Sequence, residues 1–436
     1  MKKLLAVLGV SAAILVGLLG YSVYELNNPE VPFGKAPESI IQVTPIVEPE
    51  EKTAETKTYA APVTEQTVAD NVVEEKQEQW DEADAGEFDE LEAEFDTNIA
   101  THDDLSYAYS RLNEGERQVY DEIYRGIVSY MGKVPVSTTD PSTLDKVFNC
   151  VMIDHPEIFY VNGYKYTKFT VGDVVRRILF SASYTYSTQE RDAIAADLDT
   201  VARGILMNVY DGASDYDKVK YIFDTIVRQT EYEIDSPDNQ NIISVLLNKK
   251  SVCQGYSKTM QLLLNRLGIP CTLVNGTVES GERHAWNIVK ADGEWYYVDV
   301  TWGDAAYILS DESEGAAVVP EINYDYLMVP YSELALTHNV ETIIDMPQAN
   351  SLADNYYVRE GVYFTEYNDG QLRTAFDNAI ASDQSIIVLK CSDDNTYSIL
   401  YDQLVNNQHV FDYVSGGDIA YSYNPEGRKL LFALKR

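Results

Sequence analysis

Residues 251–304 hold the three residue types that together carry out acyl transfer: a cysteine, Cys253, a histidine, His284, and an aspartate, Asp299. A thiol attacks a carbonyl once it is a thiolate. Cys253 sits in Ser251-Val252-Cys253-Gln254-Gly255-Tyr256-Ser257-Lys258, which leads into residues 259–267. There Met260, Leu263, Leu264 and Leu267 make a helical apolar stripe. Gly268 ends that helix and Pro270 follows. The spacing therefore places Cys253 at a helix N-terminus, where unpaired N–H groups and the macrodipole favour thiolate over thiol. A cysteine alone is more often a small buried hydrophobe, so the case depends on its partners.

Those partners lie on a predicted hairpin. His284-Ala285-Trp286-Asn287-Ile288-Val289 and residues 295–300 flank Asp292-Gly293, a strong turn signal between apolar alternations. Across a two-residue turn Ala291 faces Glu294. Counting outward, Trp286 faces Asp299 and His284 faces Thr301. Side chains alternate with period two, so His284, Trp286 and Asp299 share one face, with His284 diagonal to Asp299 and within reach. A carboxylate on one imidazole nitrogen fixes the tautomer and leaves the other nitrogen to take a proton. Cys253 then reads as nucleophile, His284 as base and Asp299 as the orienting carboxylate. Water resolving the thioester gives hydrolysis or deamidation; an amine gives a crosslink. Hydrolysis of extracellular protein or peptide amides is the favoured expectation. Crosslinking, cleavage of cell-wall stem peptides and a non-catalytic surface scaffold are the alternatives. The 33 tyrosines give the scaffold some footing, since tyrosine suits binding surfaces.

The run Cys253-x-Gly255-Tyr256, Gly268-Ile269-Pro270 with Gly276, His284-Ala285-Trp286-Asn287 and Val298-Asp299-x-Thr301-Trp302 resembles the transglutaminase-like superfamily, in its bacterial, cytokinesis-protein-like branch. The resemblance covers roughly residues 186–340. It implies an α+β, papain-like core with the cysteine helix packed on an antiparallel sheet, and Cys253, His284 and Asp299 as the triad. By the same analogy the Cys253 backbone N–H serves the oxyanion, with Gln254, Tyr232 and Trp286 as further oxyanion or substrate candidates. Ser257 departs from the pattern, standing where Ala is common. No counterpart of the calcium sites of the animal enzymes is evident, so no metal and no cofactor are expected.

The rest of the chain must position and deliver this core. Among 436 residues the net charge is −37, which argues against nucleic acid and anionic membrane surfaces as partners. Residues 25–104 carry 23 Asp and Glu against 4 Lys and no Arg. Lys2 and Lys3 precede an apolar run over residues 4–24 without charge, long enough to cross a hydrocarbon core. Residues 1–26 are therefore expected to be an uncleaved membrane anchor or, less favoured, a signal peptide, with the remainder outside the cytoplasm. Residues 27–104, acidic and punctuated by Pro29, Pro32, Pro37, Pro45, Pro49 and Pro62, read as a disordered tether, with a short helix at 80–95 as the exception.

Order is expected from Leu105. An N-terminal α+β region (105–185) has helices at 111–130 and 144–152 and strands at 157–169 and 178–186. The catalytic core (186–345) opens with helices at 189–210 and 216–229 and has a strand at 270–276 with Cys271 buried. A small C-terminal α+β domain (346–436) has strands at 356–364 and 385–391, helices at 371–381 and 397–406, and a hairpin at 419–434. Asp154-His155-Pro156-Glu157 could pass for a metal cluster but reads as a turn with a solvated histidine. The four cysteines match no zinc pattern and no disulfide framework, although one pair could bridge.

Overall fold

The computed structural model describes residues 72–80, 82–304, 320–414 and 419–434, with backbone alone for the short strands Val23–Leu26 and Ile40–Val43. The anchor expected over residues 1–26 lies outside the described residues, apart from Val23–Leu26. Among the described residues no helix is long and apolar enough to cross a membrane. The chain divides into two compact units. One holds residues 61–301 with 326–351, the other residues 1–60, 302–325 and 352–436.

The larger unit begins with β1 (Val72–Gln79) and α1 (Glu82–Ala93), continues through α2 (Glu114–Val128), β2 (Val134–Val136) and α3 (Pro141–Asp154), and then the hairpin β3 (Val161–Val171) and β4 (Val174–Tyr184). These strands form a four-stranded sheet in the order β1-β3-β4-β2. The two helix starts are written in the sequence. Asn113 and Glu116 close a capping box on α2, and Asp140 caps α3 with Pro141 in its first turn.

The expectation of a disordered tether through residue 104 is corrected here. Strand β1 pairs in parallel with β3 along its whole length. Glu74 and Glu75 meet Lys165 and Lys168 across the pair, and Trp80 and Phe88 pack on Phe169. An edge strand held by main-chain bonds and cross-strand charges needs little apolar periodicity, so composition concealed it.

Next come α4 (Thr188–Leu206) and α5 (Asp215–Gln229), each opened by a serine capping box. Then follow α6 (Cys253–Arg266), β5 (Cys271–Val278), β6 (Arg283–Ala291), β7 (Glu294–Val298), β8 (Leu327–Val329) and β9 (His338–Val340). The last five strands make one antiparallel sheet in the order β8-β7-β6-β5-β9, and α6 packs across β5 and β6. This is an α+β core with the cysteine helix packed on an antiparallel sheet, the arrangement expected from the sequence. Its hydrophobic side is set by Val274, Trp286, Ile288, Tyr297 and Val329, all buried. Gly268, at φ +76°, ends α6 as only a residue without Cβ does easily. Asp292 (φ +48°) and Gly293 (φ +92°) form the tight turn between β6 and β7.

The smaller unit contains α7 (Tyr356–Arg359), β10 (Tyr363–Phe364), α8 (Asp369–Ala381), β11 (Ile386–Cys391), α9 (Asp394–Tyr401), β12 (Ile419–Asn424) and β13 (Lys429–Ala433), around a core of Phe364, Phe376, Leu389, Leu400, Tyr421 and Phe432. The strand expected over 356–364 is instead a helical turn at Tyr356–Arg359 followed by a short strand at Tyr363–Phe364. The Asn355 side chain accepts from the Tyr357 N–H and starts a turn, which Gly361 (φ +73°) terminates, leaving two residues of strand. Aromatic and β-branched side chains suggested extension; the cap decided otherwise.

One further expectation changes. His155 is buried rather than solvated: one ring nitrogen meets Glu157 at 2.8 Å and the other meets the Thr101 carbonyl at 3.1 Å. Asp154 accepts from the Ala108 and Tyr109 N–H groups and the Tyr120 hydroxyl, so the cluster ties residues 101–109 to α3. All four cysteines are free thiols.

Candidate active site

Cys253 is the first residue of α6, and no side chain caps that helix at Val252. Its opening N–H groups are therefore available to an anion. Cys253 is partly exposed, whereas Cys150, Cys271 and Cys391 are buried. Burial pushes the Cys150 and Cys391 thiols up to about 12 and the Cys271 thiol well above its ordinary value. Those three are inert by environment.

The register of the β6–β7 hairpin places the partners. Ala291 pairs with Glu294, and the ladder runs out to Asn287 opposite Val298. The ladder ends one step short of the Trp286–Asp299 pair counted from the sequence. His284 Nε2 lies 2.7 Å from Asp299 Oδ2. The other imidazole nitrogen is left for Cys253, whose side chain hydrogen-bonds His284. Burial pushes the His284 pKa down, but the Asp299 carboxylate and the Cys253 side chain override it and raise it to about 10. Burial acts to raise the Asp299 pKa. His284 and His338 outweigh it and hold the carboxyl well below the usual carboxylate range. The site thus favours an imidazolium between a carboxylate and a sulfur.

Two side chains lock the cysteine helix to the histidine strand. Ser257 Oγ lies 2.9 Å from both the Cys253 and the Ala285 carbonyl oxygens, and its one proton serves either. Asn287 Nδ2 donates to the Ser257 carbonyl at 3.0 Å. Ser257, a departure from the family pattern, thus bridges the two elements that carry Cys253 and His284. Gly255 is required by space. A Cβ there would stand 2.0 Å from Ser251 Oγ, 2.7 Å from Ser244 Oγ and 2.8 Å from the Asn239 carbonyl.

The other candidates fall in different places. Trp286 is fully buried and stacks on His284 at 5.9 Å, so it supports the imidazole ring from within the core and presents no surface to substrate. Gln254 is 5% exposed on α6. Tyr232 lies on Glu231–Tyr232, a strand pair partner of Lys250–Ser251, with its ring 6.4 Å from that of Tyr256.

One residue was missed. His338, on β9, places its Nε2 3.1 Å from Asp299 Oδ2. Its strand is three residues long, too short for any periodicity. The signal that could have found it is scarcity: the chain has 5 histidines. The nitrogen and oxygen atoms of His284, Asp299 and His338 lie within 4.8 Å of one another, a spacing a metal ion could use. The hydrogen bonds already made at Asp299 Oδ2 account for it.

Residues 203–300 match the model of the transglutaminase-like superfamily. Kyphoscoliosis peptidase from Mus musculus is 29% identical over 106 residues, covering 21% of this chain and 16% of that protein. The Homo sapiens protein of the same name is 30% identical over 122 residues, covering 24% and 18%. The matched part therefore spans less than a fifth of these relatives. Among solved structures, a crystal structure of a TGase overlays with a TM-score of 0.24 at 16% identity, over 36% of this chain and 55% of that one. The periplasmic domain of TgpA from Pseudomonas aeruginosa overlays with a TM-score of 0.21 at 17% identity, over 31% and 57%. The segment that matches the transglutaminase-like superfamily, residues 203–300, contains Cys253, His284 and Asp299.

Proposed function

We propose that the larger unit is a thiol acyl-transfer enzyme acting on protein or peptide amides, hydrolysing them rather than crosslinking them. The observation that carries this is the connected line Cys253–His284–Asp299 at an uncapped helix start. His284 already holds the Cys253 proton as an imidazolium, kept in place by Asp299, so the sulfur attacks the amide carbonyl as a thiolate. The tetrahedral oxyanion is met by the Cys253 N–H. Collapse expels the amine, which takes the proton from His284. Water, deprotonated by His284, then cleaves the thioester. Gln254 and Tyr232 are further candidates to meet the oxyanion or the substrate.

The proposed arrangement is an N-terminal anchor in residues 1–26, an acidic spacer up to about residue 71, the catalytic unit, and a C-terminal domain whose role is packing. The charge run and the apolar run of the sequence support a place outside the cytoplasm, with cell-envelope proteins or peptides as substrates.

The test is turnover of peptide amides and glutamine peptides with and without a small primary amine, read by mass spectrometry. Cleavage or deamidation that vanishes in Cys253→Ala supports hydrolysis, and amine adducts would shift the proposal to crosslinking. Full turnover in Cys253→Ala, with the fold intact, would remove the mechanism. Stable binding without turnover would favour a scaffold.

A further inference from the structure

We propose that His338 is a positioning residue that holds Asp299 ionised and aimed at His284; this rests on the acyl-transfer function above. Asp299 Oδ2 receives two imidazole nitrogens, His284 at 2.7 Å and His338 at 3.1 Å, while Oδ1 accepts the Thr301 N–H at 2.9 Å. A buried carboxylate with three donors is fixed against rotation and against protonation. The carboxylate itself is fully buried, so water supplies none of these donors.

His338 can donate through Nε2 only if that nitrogen carries a proton. Its Nδ1 lies 2.8 Å from Thr337 Oγ1, which lies 3.0 Å from the Tyr326 hydroxyl. The single Thr337 proton can go to Nδ1 or to the Leu334 carbonyl at 3.4 Å; given to the nearer Nδ1, with Tyr326 donating to Thr337, it selects the neutral tautomer with hydrogen on Nε2. Neutrality is favoured further by burial and by the charge on His284, which push the His338 pKa down against the pull of Asp299 and of the Leu334 carbonyl. The groups facing the ring are Asp299, His284, Thr337, Tyr326 and Trp286.

The approach of β9 to the site is built in. Val340 pairs with Gly276, and a Cβ at Gly276 would stand 2.0 Å from the Asn339 carbonyl and 2.7 Å from the Trp286 ring. Glycine there lets the strand bearing His338 close on β5.

A packing role is the competing account, because the His338 ring also meets Trp286 at 4.9 Å and Tyr326 at 5.2 Å. Two substitutions separate the accounts. His338→Phe keeps a ring and removes the donor; His338→Gln keeps an N–H donor and removes the ring. The readout is the rate of Cys253 alkylation by iodoacetamide at pH 6.5 in the full-length chain, site-resolved by mass spectrometry. His338→Phe should slow it by about tenfold, the size of one hydrogen bond to a charged group, and His338→Gln should restore it to within about threefold of wild type. The reverse order, or no effect of either, overturns the proposal. If wild-type Cys253 is itself unreactive at pH 6.5, the acyl-transfer reading fails instead. Should neither variant fold, nitrogen-15 spectra of wild-type histidines decide: a neutral His338 protonated on Nε2 supports the role, and any other state at pH 7 sinks it.

Discussion

Replacing Asp299 by Asn changes no shape and removes one charge, so its effect can be worked from the contacts. The donors to the carboxylate include two imidazole N–H groups on Oδ2 and the Thr301 N–H on Oδ1. An amide has only one oxygen. Turned one way, its NH2 faces both histidines and forces His284 into the tautomer that cannot take a proton from Cys253. Turned the other way, the Thr301 N–H is orphaned and the His284 imidazolium loses its counter-charge. Breaking a buried pair by removing one partner costs about 3–5 kcal/mol, enough to undo the rise of the His284 pKa to about 10.

At pH 6.5 an unassisted thiol still has about 1% thiolate, so Cys253 alkylation can fall by no more than about a hundredfold. A fall of about 10- to 100-fold is expected. Stability should follow the same pair. The lowered Asp299 pKa contributes stability above about pH 4 that is lost as pH falls. The raised His284 pKa contributes stability below about pH 6.5 that is lost as pH rises towards about 10. Urea unfolding should therefore show the largest gap between wild type and Asp299→Asn between about pH 4 and 6.5. A variant that alkylates at the wild-type rate, or is equally stable throughout that window, refutes the role of Asp299.

Gly255→Ala should be felt at both levels. The new Cβ must move at least the Asn239 carbonyl or the start of α6. Thermal denaturation should register a loss of about 1–3 kcal/mol, and alkylation should slow as Cys253 shifts from His284. Ser257→Ala removes one hydroxyl shared by two carbonyls; unfolding should show a cost of about 1 kcal/mol, with alkylation changed less than about threefold because Asn287 still ties the helix to the strand.

The sequence made the central geometry legible because its devices are local. A turn of Asp292-Gly293 sets register, and register sets which side chains share a face, so His284, Trp286 and Asp299 could be placed together by counting. The apolar stripe of α6 and its Gly268 stop placed Cys253 at a helix start. What escaped was non-local. His338 arrives on a three-residue strand, β9, whose position at the far edge of β5 depends on Gly276 and has no periodic signature. Strand β1 escaped for the opposite reason: its glutamates looked like tether composition, and only the lysines of β3 give them partners. The helix α7 went unrecognised because aromatic residues suit both states and a single asparagine cap chose between them.

The most direct measurement is the pH dependence of Cys253 alkylation in the full-length chain, wild type against His284→Ala. The three remaining cysteines are buried, so labelling resolves to one residue. The account predicts that the wild-type rate at pH 6.5 stays within about fivefold of that at pH 8.5. In His284→Ala the rate should fall by about fiftyfold between the same two values, as a thiol titrating near about 8.5 does. If the wild type falls as steeply as His284→Ala, the cysteine and histidine do not act as a pair and the account is contradicted.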